Sequence, residues 1–187
     1  MATDKFNVMK LLVILLVSVL GMTNTKAQAL YTPGDTVKGK NASYYCSKQT
    51  DFTTKVRNTK NIHTFEDMYF DNGEIVPWDW VSFVKYNFEF KEFVQVFKDA
   101  LTTEELNQWK GEPRLFQVNV IADKAGNALE LEFIFLANDP VLSKLDPDRL
   151  FLLETKLKKL MKLKLSEEDR KIKNLKYVLP IFSKDLK

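Results

Sequence analysis

The sequence predicts an α+β fold: a small antiparallel sheet with helices packed on one face. Three observations carry that expectation. Apolar residues alternate on both sides of a tight turn in FQVNVIADKAGNALELEFIF, Phe116 to Phe135. A leucine stripe of helical period follows it, and a last apolar run, Leu175 to Phe182, comes after the helix. Alternation with period two marks strands and a 3.6-residue period marks a helix, so the order is strand, turn, strand, helix, strand.

The elements are justified in chain order. Lys10 precedes LLVILLVSVLGM, and TNTKAQA offers the small-x-small site Ala27-Gln28-Ala29. A basic entry, a short apolar centre and a small-residue exit are the three parts of a secretory signal peptide, and the centre is short for a bilayer span. Residues 1–29 are therefore expected to be a signal peptide cleaved near Ala29, with Met1 or Met9 as the start, and no stable membrane span after cleavage. Removing them from the 187 residues leaves 158, the size of one domain.

Residues 30–61, with YTPGDTVKGKNAS, are rich in turn formers and read as a polar, loosely ordered lead-in. Asn41-Ala42-Ser43 within them fits a glycosylation sequon. A single α+β domain is expected over 62–187. In MYFDNGEIV the Asn72-Gly73 pair signals a hairpin, because both residues tolerate positive φ. After Pro77, the alternation Trp80, Ser82, Val84, Tyr86, Phe88, Phe90 suits a strand. Phe90, Phe93, Val94, Phe97 and Leu101 then share one helical stripe. Thr102 with Glu105 makes a capping box for a second helix that Gly111 can end.

In the hairpin, Phe116, Val118 and Val120 share one side, as do Leu129, Leu131, Phe133 and Phe135, with Glu130 and Glu132 opposite. Asp146 caps the next helix, Pro147 suits its first position, and Leu150, Leu153, Leu157, Leu160 and Met161 form its buried stripe. Pro180 in the final strand removes a backbone donor and favours an edge or a bulge.

Run together, FQVNVIADKAGNALELEFIF and LDPDRLFLLETKLKKLMKLKL give residues 110–183 an order that resembles the C-terminal domain of TonB-type proteins. The same stretch is similar to a group of uncharacterised exported proteins of Gram-negative gut anaerobes, carrying a domain of unknown function. The resemblance implies a β-β-α-β core and an exported location, and brings no activity with it. The six prolines are scattered, so the Pro-rich spacer of a TonB transducer is missing.

Charge and residue types narrow the function classes. The formal net charge is +3, and without the leader 28 bases and 25 acids fall to 25 and 24. A near-neutral exported chain without a nucleic-acid motif points away from nucleic acid as a partner. Cys46 is the single cysteine, so no internal disulfide forms, and it reads as a small packed residue. His63 is the single histidine and reads as an exposed loop residue. No GxSxG elbow occurs, and no metal or cofactor is expected; Asp67, Asp71 and Glu74 lack EF-hand spacing. The acids fall on predicted helix exteriors and strand outer faces, which gives a glycan or peptidoglycan hydrolase no obvious cleft with paired carboxylates.

Aromatic residues make up 12% of the chain and cluster between Trp78 and Phe97. On an extended segment Trp78 and Trp80 point the same way and form a stacking platform for a sugar ring; Trp109 is a third candidate. Phe151 and Leu152 project away from the leucine stripe, and Lys158, Lys159 and Lys162 fall on the face opposite it, a surface for an acidic partner. The expected role is a non-catalytic interaction module of the periplasm or cell surface, taking a periplasmic or outer-membrane protein at a sheet edge. The alternative is a carbohydrate-binding protein using its exposed tryptophans.

Overall fold

The computed structural model of the chain describes residues 29–82, 84–109 and 115–182. Residues 1–28 of the expected leader, Phe83 and Gly111 lie outside those residues. The main sheet is fully antiparallel, in the order β1 (Thr36–Lys38), β2 (Ser43–Lys48), β3 (Thr53–Asn58), β7 (Ala128–Leu136), β6 (Leu115–Ala122), β10 (Leu175–Phe182). Two short ladders stand beside it: β4 (Tyr69–Phe70) with β9 (Ile172–Lys173), and β5 (Lys85–Tyr86) with β8 (Leu163–Lys164). Helices α1 (Phe90–Ala100), α2 (Thr103–Gln108) and α3 (Pro147–Leu160) complete the mixed α+β architecture. Among the described residues no helix is long and apolar enough to cross a membrane.

The hairpin forms at the expected turn. Asp123 Oδ1 accepts from the Ala125 and Asn127 amides at 2.9 and 2.8 Å. Gly126 takes φ +82°, and a Cβ there would lie 1.9 Å from the Leu163 carbonyl oxygen. Phe116, Val118, Val120, Leu131, Phe133 and Phe135 are buried on one face. Against them pack Phe93 and Phe97 of α1 and Leu150, Leu153 and Leu157 of α3. Each such side chain contributes about 1.5–3 kcal/mol by leaving water. Asp146 caps α3 through the Asp148 and Arg149 amides, with Pro147 in the first turn. Phe90 departs from its stripe: it starts α1, 53% exposed, stacked on Phe93.

The lead-in is corrected. Residues 36–58 contribute β1, β2 and β3 to the main sheet, and Tyr31, Tyr44, Cys46 and Val56 are buried in its core. The segment is polar because β2 and β3 alternate buried and half-exposed residues. One apolar face per strand suffices when the sheet supplies the neighbours.

The opposite sheet face is covered as well, by a 3-10 turn at His63–Phe65. Glu130, expected on an outer face, is only 6% exposed. Its carboxylate accepts from the Ile62, His63 and Thr64 amides at 2.7, 2.9 and 3.0 Å. Glu132 is buried beside it, 3.9 Å from Lys55 Nζ. The strand expected over Trp80–Phe90 is reduced to Lys85–Tyr86. Pro77 ends the preceding extension, and the Trp80 amide bonds back to the Pro77 carbonyl at 3.0 Å, which is a turn.

Candidate functional site

The site is built on the lobe formed by the two short ladders. Phe70 N donates to Glu74 O at 2.8 Å and Gly73 supplies φ +86°, closing the Asp71-Asn72-Gly73 hairpin. Val76 is buried and bonds Met68, which anchors the chain just before the Pro77–Trp80 turn. On the other rim Leu163 and Leu165 are buried, and Ser166 to Asp169 closes on itself: the Ser166 hydroxyl accepts from the Asp169 amide at 3.0 Å and donates to Asp169 Oδ2 at 2.8 Å.

The turn sends its two indoles different ways. Trp80 folds inward, its ring edge-on to Phe70 at 5.2 Å between centroids and its Nε1–H donating to Asp169 Oδ1 at 3.1 Å. Trp78, at the turn's tip, is 97% exposed. An extended segment pointing both rings the same way is thus replaced by one ring packed inward and one left in solvent. Between the rims lies a hollow of ≈ 380 Å³ lined by Pro77, Asp79, Trp80, Val81, Ser166, Glu168 and Asp169. Its apolar wall includes the exposed Val81. Three carboxylic residues therefore share one concavity, which corrects the expectation that the acids are dispersed. Asp169 is 1% exposed and already hydrogen-bonded, whereas Asp79 and Glu168 are exposed and have no side-chain partner among the described residues.

A second hollow of ≈ 340 Å³ is lined by Phe65, Glu66, Asp67, Tyr69, Lys173 and Asn174. His63, expected as an exposed loop residue, is half-buried behind the lining residues Glu66 and Asn174. Its Nδ1 is 2.9 Å from Glu66 Oε2, and Asn174 Nδ2 donates to the same oxygen at 2.9 Å. The hydrogen bond from His63 holds the Glu66 carboxyl below the ordinary carboxylate range, with Asn174 and Lys173 adding to it. The Arg57 guanidinium lies 3.5 Å from the Phe65 ring centroid. These groups satisfy one another and pin the 3-10 turn to the β9–β10 junction. The Trp80 hollow, in contrast, leaves the carboxylates of Asp79 and Glu168 without a side-chain partner among the described residues.

The other candidates are dispersed. Trp109 is 2% exposed: it caps the end of α2, stacks on Phe116 at 5.6 Å and donates to Asp139 at 3.3 Å, so it belongs to the core and not to a binding surface. Phe151 is half-buried against the core, while Leu152 is 47% exposed. The lysines form no single face. Lys158 turns to the buried Glu154 at 3.8 Å, Lys159 is exposed, and Lys162 lies beyond α3 in a bridge to Asn127. Of the two acids weighed for calcium with Asp67, Asp71 pairs with Lys124 and Glu74 accepts from Asn72. Sequence reasoning did not single out Ser166, Glu168 and Asp169; their one local signal is the S-x-x-D spacing of a self-capping turn.

No family model matches the chain, and no curated protein matches it. Its fold is similar to the crystal structure of a DUF5043 family protein from Bacteroides uniformis, with a TM-score of 0.67 and 17% identity over 83% of this chain and 88% of that one. That neighbour carries a domain of unknown function and comes from a gut anaerobe, and at this identity the similarity speaks for the fold.

Proposed function

We propose that the protein is an exported, non-catalytic binding module of the periplasm or cell surface that takes carbohydrate in the Trp78–Trp80 groove. The observation that carries the proposal is Trp78, 97% exposed on a turn whose next indole, Trp80, walls a hollow rimmed by unpartnered carboxylates. A bare indole held on a tight turn is a cost to solubility that a stacking ligand removes, and sugar rings pair one apolar face with hydroxyls that carboxylates accept. The leader-like N-terminus and the TonB-like order of elements support export.

The sheet edge is less suited to a partner strand. β10 is an edge, and Lys176 directs its amide away from β6, to Met68 Sδ at 3.2 Å. Backbone donors alternate along a strand, so the outward set continues through Val178 to Pro180, which has no N–H to offer. A proline in that register blunts an edge against pairing. The opposite edge, β1, is three residues long.

Titration of the purified chain with neutral, amino and acidic polysaccharides and with peptidoglycan, followed by tryptophan fluorescence, tests the proposal. Saturable quenching lost in Trp78→Ala supports it, and no binding to any of these removes it. Release of reducing ends that disappears in Asp79→Asn replaces the non-catalytic reading with a hydrolase. The amino terminus of the product recovered from cells checks export; Leu30 is expected.

A further inference from the structure

We infer that the groove selects sugars carrying a free, protonated amine and turns away acidic ones, an inference that rests on the carbohydrate reading above. The reason lies in which hydrogens the site has left to give. Among the described residues, the titratable side chains lining the hollow are Asp79, Glu168 and Asp169, with no lysine, arginine or histidine. Arg170 and Lys171 belong to the same turn but are exposed outside the lining. The two side-chain donors that the described residues give the hollow are already committed, since Trp80 Nε1–H and the Ser166 hydroxyl both donate to Asp169. What remains are the carboxylates of Asp79 and Glu168, which accept and do not donate.

A ligand for such a groove must bring the donors. An ammonium group brings three and a charge opposite to that of both carboxylates, and it is also attracted to the face of an indole. A neutral sugar hydroxyl brings one donor and no charge. A uronate or sulfate brings acceptors against acceptors and like charge against like, with no uncommitted side-chain donor among the described lining residues to compensate. The apolar patch of Pro77, Trp80 and Val81 receives the ring itself, so amine and ring face are read together.

Calorimetric titration of the intact protein with four oligosaccharides tests this: a glucosamine oligomer with free amines, its N-acetylated counterpart, a neutral glucan and a uronate. The free-amine oligomer is expected to bind about tenfold or more tightly than the acetylated one. The uronate is expected not to bind, and added salt should narrow the difference. Asp79→Asn and Glu168→Gln are each expected to weaken the amino sugar by about two- to fivefold and the neutral glucan by less, since the amide oxygen still accepts from a hydroxyl but carries no charge. Equal affinity for free and acetylated amines overturns the inference and leaves the carbohydrate reading standing. No binding of any sugar overturns both. Binding of a lysine oligomer without any amino sugar also overturns it and makes the ligand a basic peptide.

Discussion

The hydroxyl of Tyr44 on β2 donates to Oε2 of Glu154 on α3 at 2.7 Å, 110 residues away in the chain. The carboxylate is 2% exposed and also accepts from Asn58 Nδ2 at 3.1 Å. One polar cluster thus joins the first strands to the main helix, and burial beside that carboxylate pushes the Tyr44 phenol well above its usual range. Tyr44→Phe leaves a buried acceptor short of a donor and is expected to cost about 1–3 kcal/mol. Urea unfolding that shows no loss excludes the cluster as a tie between helix and sheet.

Arg149 clamps the ends of α1 and α2. Its guanidinium bonds both Glu105 oxygens at 2.8 and 2.5 Å and reaches the Ala100 carbonyl at 2.6 Å. The hydrogen bond from Arg149 holds the Glu105 carboxyl below its ordinary 4.5. A depressed carboxyl stabilises the fold fully above its unfolded value and less as pH falls through the folded one. Glu105→Gln, a half-exposed pair, is expected to cost about 0.5–1 kcal/mol at neutral pH and nothing in strong acid. Parallel stability curves for the two proteins down to acid pH would contradict this.

Cys46 is buried, and burial pushes its thiol from 9.0 to about 11, with Asp35 adding to it. The folded chain should resist maleimide at mildly alkaline pH and react on adding denaturant. A raised folded value also means stability lost as pH climbs from 9.0 towards about 11. Cys46→Ala is expected to flatten that part of the stability profile. Rapid labelling of native protein counts against the placement.

Trp78 and Trp109 are expected to separate cleanly. Trp78→Ala should change stability by less than about 0.5 kcal/mol, since the ring touches little. Trp109→Ala should cost about 3–5 kcal/mol, because it opens a cavity beside Phe116 and removes a donor from Asp139. Denaturation midpoints of the two variants decide it.

Gly126→Ala is expected to cost about 2–4 kcal/mol or to block folding, because positive φ and the nearby Leu163 carbonyl oppose any Cβ. Normal thermal stability in this variant would mean the Asp123–Asn127 turn sits away from β8.

Several elements were legible because their signals are local. The DKAGN turn, the Thr102–Glu105 capping box and the Asp146-Pro147 helix start each satisfy backbone donors within a few residues. The β1–β3 segment was missed because its apolar content is low and its partners, β7 and α3, come more than 70 residues later. One wall of the hollow was legible as Trp80. The other was not, because Ser166 to Asp169 meets Trp80 only through an 89-residue separation.

By itself the sequence determined the α+β class, the hairpin, the capped helices and the buried stripe of α3, since periodicity and capping act over distances shorter than a turn or two. Only the tertiary structure decided which indoles are buried, which carboxylates are left unpaired and which side of β10 faces outward. Those properties depend on what the rest of the chain brings within hydrogen-bonding distance, and no local spacing encodes that.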